Sequence, residues 1–200
     1  MPLGNRAEDY GVVLLALAKG CAVPDQAAYD ALRDAHDASS LRSFHVRFYS
    51  VRDDLSEADP DGWRRLMAPY PAFLSVIRRR AADAELAIAT AKDRRSVEAL
   101  LRLYGIESLF AADRILDKET GEAKTAHLRR LRRQLGVEFR EITFMDDKLN
   151  HLDSVAALGV RCALAAWGYN GPREIRLARE RGYLVCRLED VERQLFGASA

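Results

Sequence analysis

After Glu85 the chain alternates short apolar runs with amphipathic stretches, and no other feature narrows its fold so far. "LAIAT" precedes Arg94 to Tyr104, "DRILD" precedes Thr125 to Leu135, and "ITFM" precedes Leu152 to Leu158. "RCALAAW" then precedes Arg173 to Arg181, and "YLVCRL" leads into a last helix. Strands alternating with helices make βαβ units, which close only as a parallel sheet with helices on both faces. The expected class is therefore α/β, a Rossmann-like three-layer parallel sheet. No repeat or low-complexity tract interrupts it.

The first third reads differently. Helical patterns run from Arg6 to Lys19, stopped by Gly20, and from Asp25 to Ala38, with Asp25 as N-cap and Ala28, Leu32 and Ala35 on one face. Ser39 to Ala68 is polar, carries "DDLSEADPDG", and is expected to be a connector with a short helix from Trp63. Phe73, Val76 and Ile77 then recur at helical spacing. This divides the chain into residues 1–68, a helical segment and connector, and residues 69–200, the Rossmannoid core.

With 200 residues, 48% hydrophobic and 30% charged, the chain can bury one core domain and a small accessory module without a membrane-length run. A net charge of +1 gives no global pull toward nucleic acid or an anionic membrane. Cys21, Cys162 and Cys186 have unrelated spacings, which argues against a disulfide framework or a zinc site. The opening "MPLGNRAEDYG" has no export signal, so the reducing cytoplasm is the expected location.

In an open parallel sheet, ligands sit beyond the carboxyl ends of the strands. Thr90 ends "ELAIAT", Asp146 and Asp147 end "ITFM", and Lys124 opens a helix in "ETGEAKTAHLRRL". A hydroxyl for a phosphate oxygen, an ammonium to offset charge and hard carboxylate oxygens for Mg²⁺ are what magnesium-assisted phosphoryl transfer requires.

From Pro71 to Leu195 these segments, in this order, resemble the haloacid dehalogenase-like (HAD) hydrolase superfamily, and its phosphoglycolate-phosphatase-like branch. "YPAFLSVIRRRAADAELAIATAKD" resembles the approach to the second motif, with Thr90 as its phosphate-binding hydroxyl; "GEAKTAHLRRL" resembles the third, giving Lys124. "ITFMDDKLNHLDSVAALGV" resembles the fourth in a double-aspartate form, giving Asp146 and Asp147 as metal ligands with Asn150 as an accessory contact, and "CALAAWGYNG" resembles the strand and glycine turn that follow. The resemblance implies a Mg²⁺-dependent phosphomonoester phosphatase acting on a small phosphorylated molecule. Residues 1–68 would then be cap-like. No nucleic acid or membrane partner is expected, and a homo-oligomer is compatible with the assignment.

The family's first motif, an apolar strand running into Asp-x-Asp, is not identifiable. Asp59 and Asp61 in "ADPDGW" have the spacing but follow "RDDLSE", which reads as a capped turn before a helix. "YGVVLLALAKG" offers a strand, but aligned on Gly20 it places Leu17 and Lys19 where the aspartates belong. Alternatively, Arg6 to Ala38 is a helical cap and the chain starts just after that strand. In the family's sheet this strand lies between those ending at Thr90 and Met145, so its omission would leave two strand edges unpaired. The chain is accordingly expected to be either a hydrolase whose nucleophile lies elsewhere or a catalytically inactive HAD-like domain that binds a phosphate ligand or a protein.

Arg129, Arg130, Arg132 and Arg133 surround Leu128, Leu131 and Leu135 as a solvated basic helix face, without the interleaved aromatics that stack bases. His151 stands beside the carboxylates, and Trp167 and Tyr169 are expected to close a sheet edge. Phe44, Phe48 and Tyr49 are cap or interface candidates.

Overall fold

A computed structural model describes residues 7–121 and 123–197. The chain divides between Ala68 and Pro69 into two compact units.

The first unit holds α1 (Ala7–Ala18), α2 (Gln26–Asp34), α3 (Ala38–Ala58) and α4 (Pro60–Leu66). Arg6, the expected start of the first helix, lies outside the described residues. Asp25 accepts the Ala28 N–H at 2.9 Å and Asp37 accepts that of Ser40 at 2.8 Å, each satisfying a donor that a first helical turn leaves open. Val12, Val13 and Tyr29 form the core of this unit, with Val23, Leu32 and Leu41 packed on it, and the Tyr29 hydroxyl donates to buried Asp9. A Cβ at Gly11 would lie 3.0 Å from the Phe44 ring, so the glycine sets how closely α3 crosses α1.

Two sequence expectations are corrected here. The polar stretch 39–68 is not a connector, because α3 is a helix of 21 residues and α4 follows it. Its apolar positions, Leu41, Phe44, Phe48, Val51 and Leu55, recur alternately three and four residues apart, and that stripe supports a helix despite the charges between. Tyr10 to Gly20 is not a strand. It is helical to Ala18, with Leu17 exposed on the surface and Lys19 beyond the helix end.

The second unit is α/β. It runs α5 (Pro71–Arg80), β1 (Ile88–Ala89), α6 (Arg94–Tyr104), β2 (Ile115–Leu116), α7 (Lys124–Leu135) and β3 (Thr143–Asp146). It continues α8 (Leu149–Ala156), β4 (Arg161–Ala165), α9 (Pro172–Glu180), β5 (Leu184–Cys186) and α10 (Val191–Phe196). All strand pairs are parallel, β1 with β2 and β3–β4–β5 in that order. Successive strand residues point to opposite faces. Ala89, Leu116, Phe144, Cys162, Leu164 and Val185 join one apolar cluster with Leu128 and Leu131 of α7, Leu152 and Val155 of α8, and Ala178 of α9.

On the opposite face, Met145, Ala163, Leu184 and Cys186 meet Val76 of α5 and Val191 of α10, while Ile88 and Ile115 meet Val97 and Leu101 of α6. Helices thus cover both faces, the Rossmann-like arrangement that the sequence alternation implies. The layer is interrupted, however, because the described residues contain no pairing between β1 and β3. Cys162 to Ala165 of β4 and both residues of β2 are buried, whereas Ile88, Ala89 and Met145 are only partly buried and Thr143 is exposed.

Candidate active site

Each expected site residue stands where a strand ends or a helix begins. Thr90 directly follows β1, and its N–H donates to Leu116 O at 2.8 Å, continuing the ladder. Its Oγ1 accepts the Lys92 N–H at 3.1 Å. Asp93, three residues on, caps α6 by accepting the Ser96 N–H at 2.8 Å. A strand thus gives way to a helix within a few residues, and the threonine hydroxyl is held in that turn.

Lys124 opens α7, and its ammonium donates to Ala89 O at 2.5 Å. Burial pushes this amine below its ordinary pKa, and the charge of Asp146 opposes that shift. The side chain therefore spans the interruption in the layer, bonded to the end of β1 and facing the carboxylate that ends β3. The preceding loop is tied down. Asp117, buried after β2, takes the Arg94 guanidinium at 2.5 Å and the Thr120 N–H at 3.1 Å. Burial would raise the Asp117 pKa, but the Thr120 N–H and the Arg94 charge outweigh it and hold the carboxyl below its ordinary value. His127, on the buried side of the first turn of α7, is pushed below its ordinary pKa by burial.

The two adjacent aspartates have different surroundings. Both Asp146 carboxylate oxygens lie 3.0 Å from His151 Nδ1, and Oδ1 also accepts the Lys148 N–H at 2.9 Å. Burial works against this carboxylate, but the His151 bond and charge, the Lys148 N–H and the Lys124 ammonium together hold its pKa below the ordinary value. Asp147 turns to the loop after β4. Its Oδ2 accepts the Tyr169 N–H at 2.8 Å, and its carbonyl accepts Asn170 Nδ2 at 3.0 Å. Asn170 also donates to Ala165 O at 2.9 Å. A Cβ at Gly168 would lie 2.3 Å from Asp147 Cβ, so only glycine lets that loop close on the carboxylate.

The structure thus brings Lys124, Asp146 and His151 together beside the end of β1, with Thr90 one residue beyond the carbonyl that Lys124 holds. Asn150 is exposed on the first turn of α8. Trp167 packs on Phe73, ring centroids 5.4 Å apart, and Tyr169 lies under the Lys148 ammonium at 5.4 Å. Neither Asn170 as the clamp between β4 and Asp147 nor the Arg94–Asp117 pair is legible in the sequence pattern. The "NG" of "WGYNG" marked a turn, and only its three-dimensional partner gives it a role.

Asp59 and Asp61 contribute no strand-end carboxylates. Asp59 caps α4 through the Gly62 N–H at 2.8 Å, and Asp61 pairs with Arg64 at 2.6 Å in the first turn of that helix. Among the described residues no helix is long and apolar enough to cross a membrane.

A model of haloacid dehalogenase-like hydrolases matches residues 58–159, just over half of the 200-residue chain. The chain belongs to the haloacid dehalogenase-like hydrolases. No curated protein gives a significant match. Solved structures that this HAD-like chain resembles include a haloacid dehalogenase-like family hydrolase from Streptococcus pneumoniae, at TM-score 0.62 and 13% identity over 92% of this chain and 88% of that one. A predicted phosphoglycolate phosphatase from Haemophilus somnus 129pt follows at TM-score 0.57 and 17% identity, over 95% and 77% of the two chains. At these identities the likeness is one of fold. It extends beyond the 58–159 match, since it takes in 92% and 95% of this chain.

Proposed function

We propose that the HAD-like core carries a phosphate-ester site of the phosphomonoesterase kind, with small phosphorylated molecules as its ligands in the reducing cytoplasm. The observation that carries this proposal is Lys124, whose half-buried ammonium bonds the end of β1, beside Thr90, and feels the charge of the Asp146 carboxylate at the end of β3. Thr90 Oγ1 would donate to a phosphoryl oxygen while the Lys124 ammonium offsets its charge.

Asp146 and Asp147 would hold Mg²⁺. Their chemistry fits, since both are hard oxygen donors and Asp147 keeps Oδ1 without a protein partner among the described residues. The described residues contain no cluster of three or more His, Cys, Asp or Glu able to hold a metal. Two carboxylates completed by substrate and water oxygens suit magnesium, which rarely has an all-protein cage. When bound, the ion would offset charge on the phosphoryl group. Asp59 and Asp61, the Asp-x-Asp pair of this chain, are committed to α4 and do not stand as the strand-end carboxylate that attacks phosphorus in this family. That commitment favours a second reading, an inactive HAD-like domain retained to bind a phosphate ligand or a protein.

Hydrolysis of an aryl phosphate by the purified chain, with and without Mg²⁺, separates the two when run beside phosphate binding followed by ³¹P NMR. Mg²⁺-dependent turnover that disappears in Asp146→Asn supports the enzyme. Phosphate binding without turnover, weakened in Lys124→Met, supports the binding domain. Absence of both from a folded chain overturns the site.

A further inference from the structure

One face of α3 carries charges that its own helix leaves unanswered. Ser43, Val46, Arg47, Ser50, Val51 and Asp54 recur three and four residues apart and are all exposed, so they form one stripe along the helix. A different stripe, Leu41, Phe44 and Phe48, meets α1 and the core of the first unit. Val46 is 63% exposed and Val51 53%, so two apolar side chains stand in water among the charges.

Arg47 and Asp54 stand two turns apart, about 10 Å along the axis, too far to meet each other. Three and four residues from Arg47 are Ser43, Phe44, Ser50 and Val51, and from Asp54 are Ser50, Val51, Glu57 and Ala58, so neither has an opposite charge within reach on its helix. Elsewhere in the unit such charges are paired along their own helix, Arg33 with Asp30 and Arg64 with Asp61. The order of signs is also reversed. Arg42 and Arg47 occupy the first half of α3, Asp54 and Glu57 the second, and the last turn holds no base. A helix dipole favours acids at the start and bases at the end. Arg52, in the second half, is turned onto the Tyr49 and Trp63 rings and does not redress this.

We propose that this face of α3 pairs with the same face of a second copy of the chain, the two helices antiparallel about a twofold axis between Ser50 and Val51. In that register Arg47 meets Asp54 of the second copy, and by symmetry Asp54 meets its Arg47. Val46 meets Leu55, itself 41% exposed, Ser50 meets Val51, and Arg42 comes level with the turn that carries Glu57. Charge selects this orientation, because a parallel pair would set Arg47 on Arg47 and Asp54 on Asp54. Reversal also lays the two helix dipoles against each other and places each acidic end beside a basic one. The small side chains of Ser43 and Ser50 let the axes approach to the about 8–10 Å of packed helices. The valines and Leu55 supply the apolar burial, while the charges set register and partner, since exposed ion pairs add little affinity of their own.

Sedimentation velocity of the full 200-residue chain tests this without recourse to turnover, so its outcome is independent of the phosphate site. The native chain is expected to show a monomer–dimer equilibrium that weakens as salt rises. Arg47→Asp and Asp54→Arg are each expected to weaken self-association by about tenfold or more, because like charges then face each other at two symmetric places. Mixed in equal amounts, the two variants are expected to associate as the native chain does, since in the mixed pair each altered position meets an opposite charge. The double variant Arg47→Asp/Asp54→Arg is expected to recover self-association for the same reason. Both positions are exposed, so circular dichroism melting should stay native-like in all of them. A native chain that remains monomeric at millimolar concentration leaves this face to some other partner and overturns the proposal. It is equally overturned if either single variant dimerises as tightly as the native chain, or if the mixture or the double variant stays monomeric.

Discussion

Asp147 and Gly168 show how a single atom can set the geometry of a site. The loop after β4 reaches Asp147 only because position 168 has no side chain, and the added methyl of Gly168→Ala would meet Asp147 Cβ at 2.3 Å. Overpacking of this kind costs about 1–3 kcal/mol, so the urea midpoint of Gly168→Ala should fall by that equivalent and the Tyr169 amide should lose its protection. Tyr183 offers a test by pH. Burial and the bond from its hydroxyl to Asp153 Oδ1, 3.0 Å, push its pKa up to about 12. A phenol whose folded pKa lies above its ordinary value contributes stability that is complete below about pH 10 and lost as pH rises toward the folded value. Between those limits the native chain should lose stability more steeply than Tyr183→Phe, as read from denaturation midpoints across the alkaline range.

Elements were legible in proportion to how far local pattern decided them. α6 spans Arg94–Tyr104 as its periodicity implies, because Asp93 caps one end and Gly105, at φ 62°, closes the other in a left-handed turn. Asp93→Ala should cost about 1 kcal/mol of thermal stability, the ordinary loss for an N-cap. α3 was misread because charge density outweighed a regular stripe of apolar residues, and none of its residues is fully buried. The strands were located correctly, yet β1 and β2 are only two residues long. Strand length depends on a neighbour being present to pair with, and sequence pattern does not carry that information. Thr90, Lys124, Asp146 and Asp147 were legible as strand-end and helix-start residues. The separate environments of the two aspartates were not, since His151, Tyr169 and Asn170 converge on them only through the fold.

At the scale of the whole molecule, the unbroken apolar cluster is what keeps two short sheets in one layer. Leu152 and Val155 of α8 are fully buried in it. Leu152→Ala should cost about 2–5 kcal/mol in chemical denaturation and speed amide exchange in both sheets together. Leu17→Ala, at a leucine 68% exposed on α1, should change stability by no more than about 0.5 kcal/mol. A strand edge that ends in open main-chain groups is a template for stray pairing, and natural sheets cover or charge such edges against it. The Lys124 ammonium on Ala89 O therefore also works as a solubility device. Lys124→Met should remain folded when dilute yet form thioflavin-positive aggregates at concentrations where the native chain stays clear, so that one lysine on one main-chain carbonyl separates a clear solution from one that seeds fibrils.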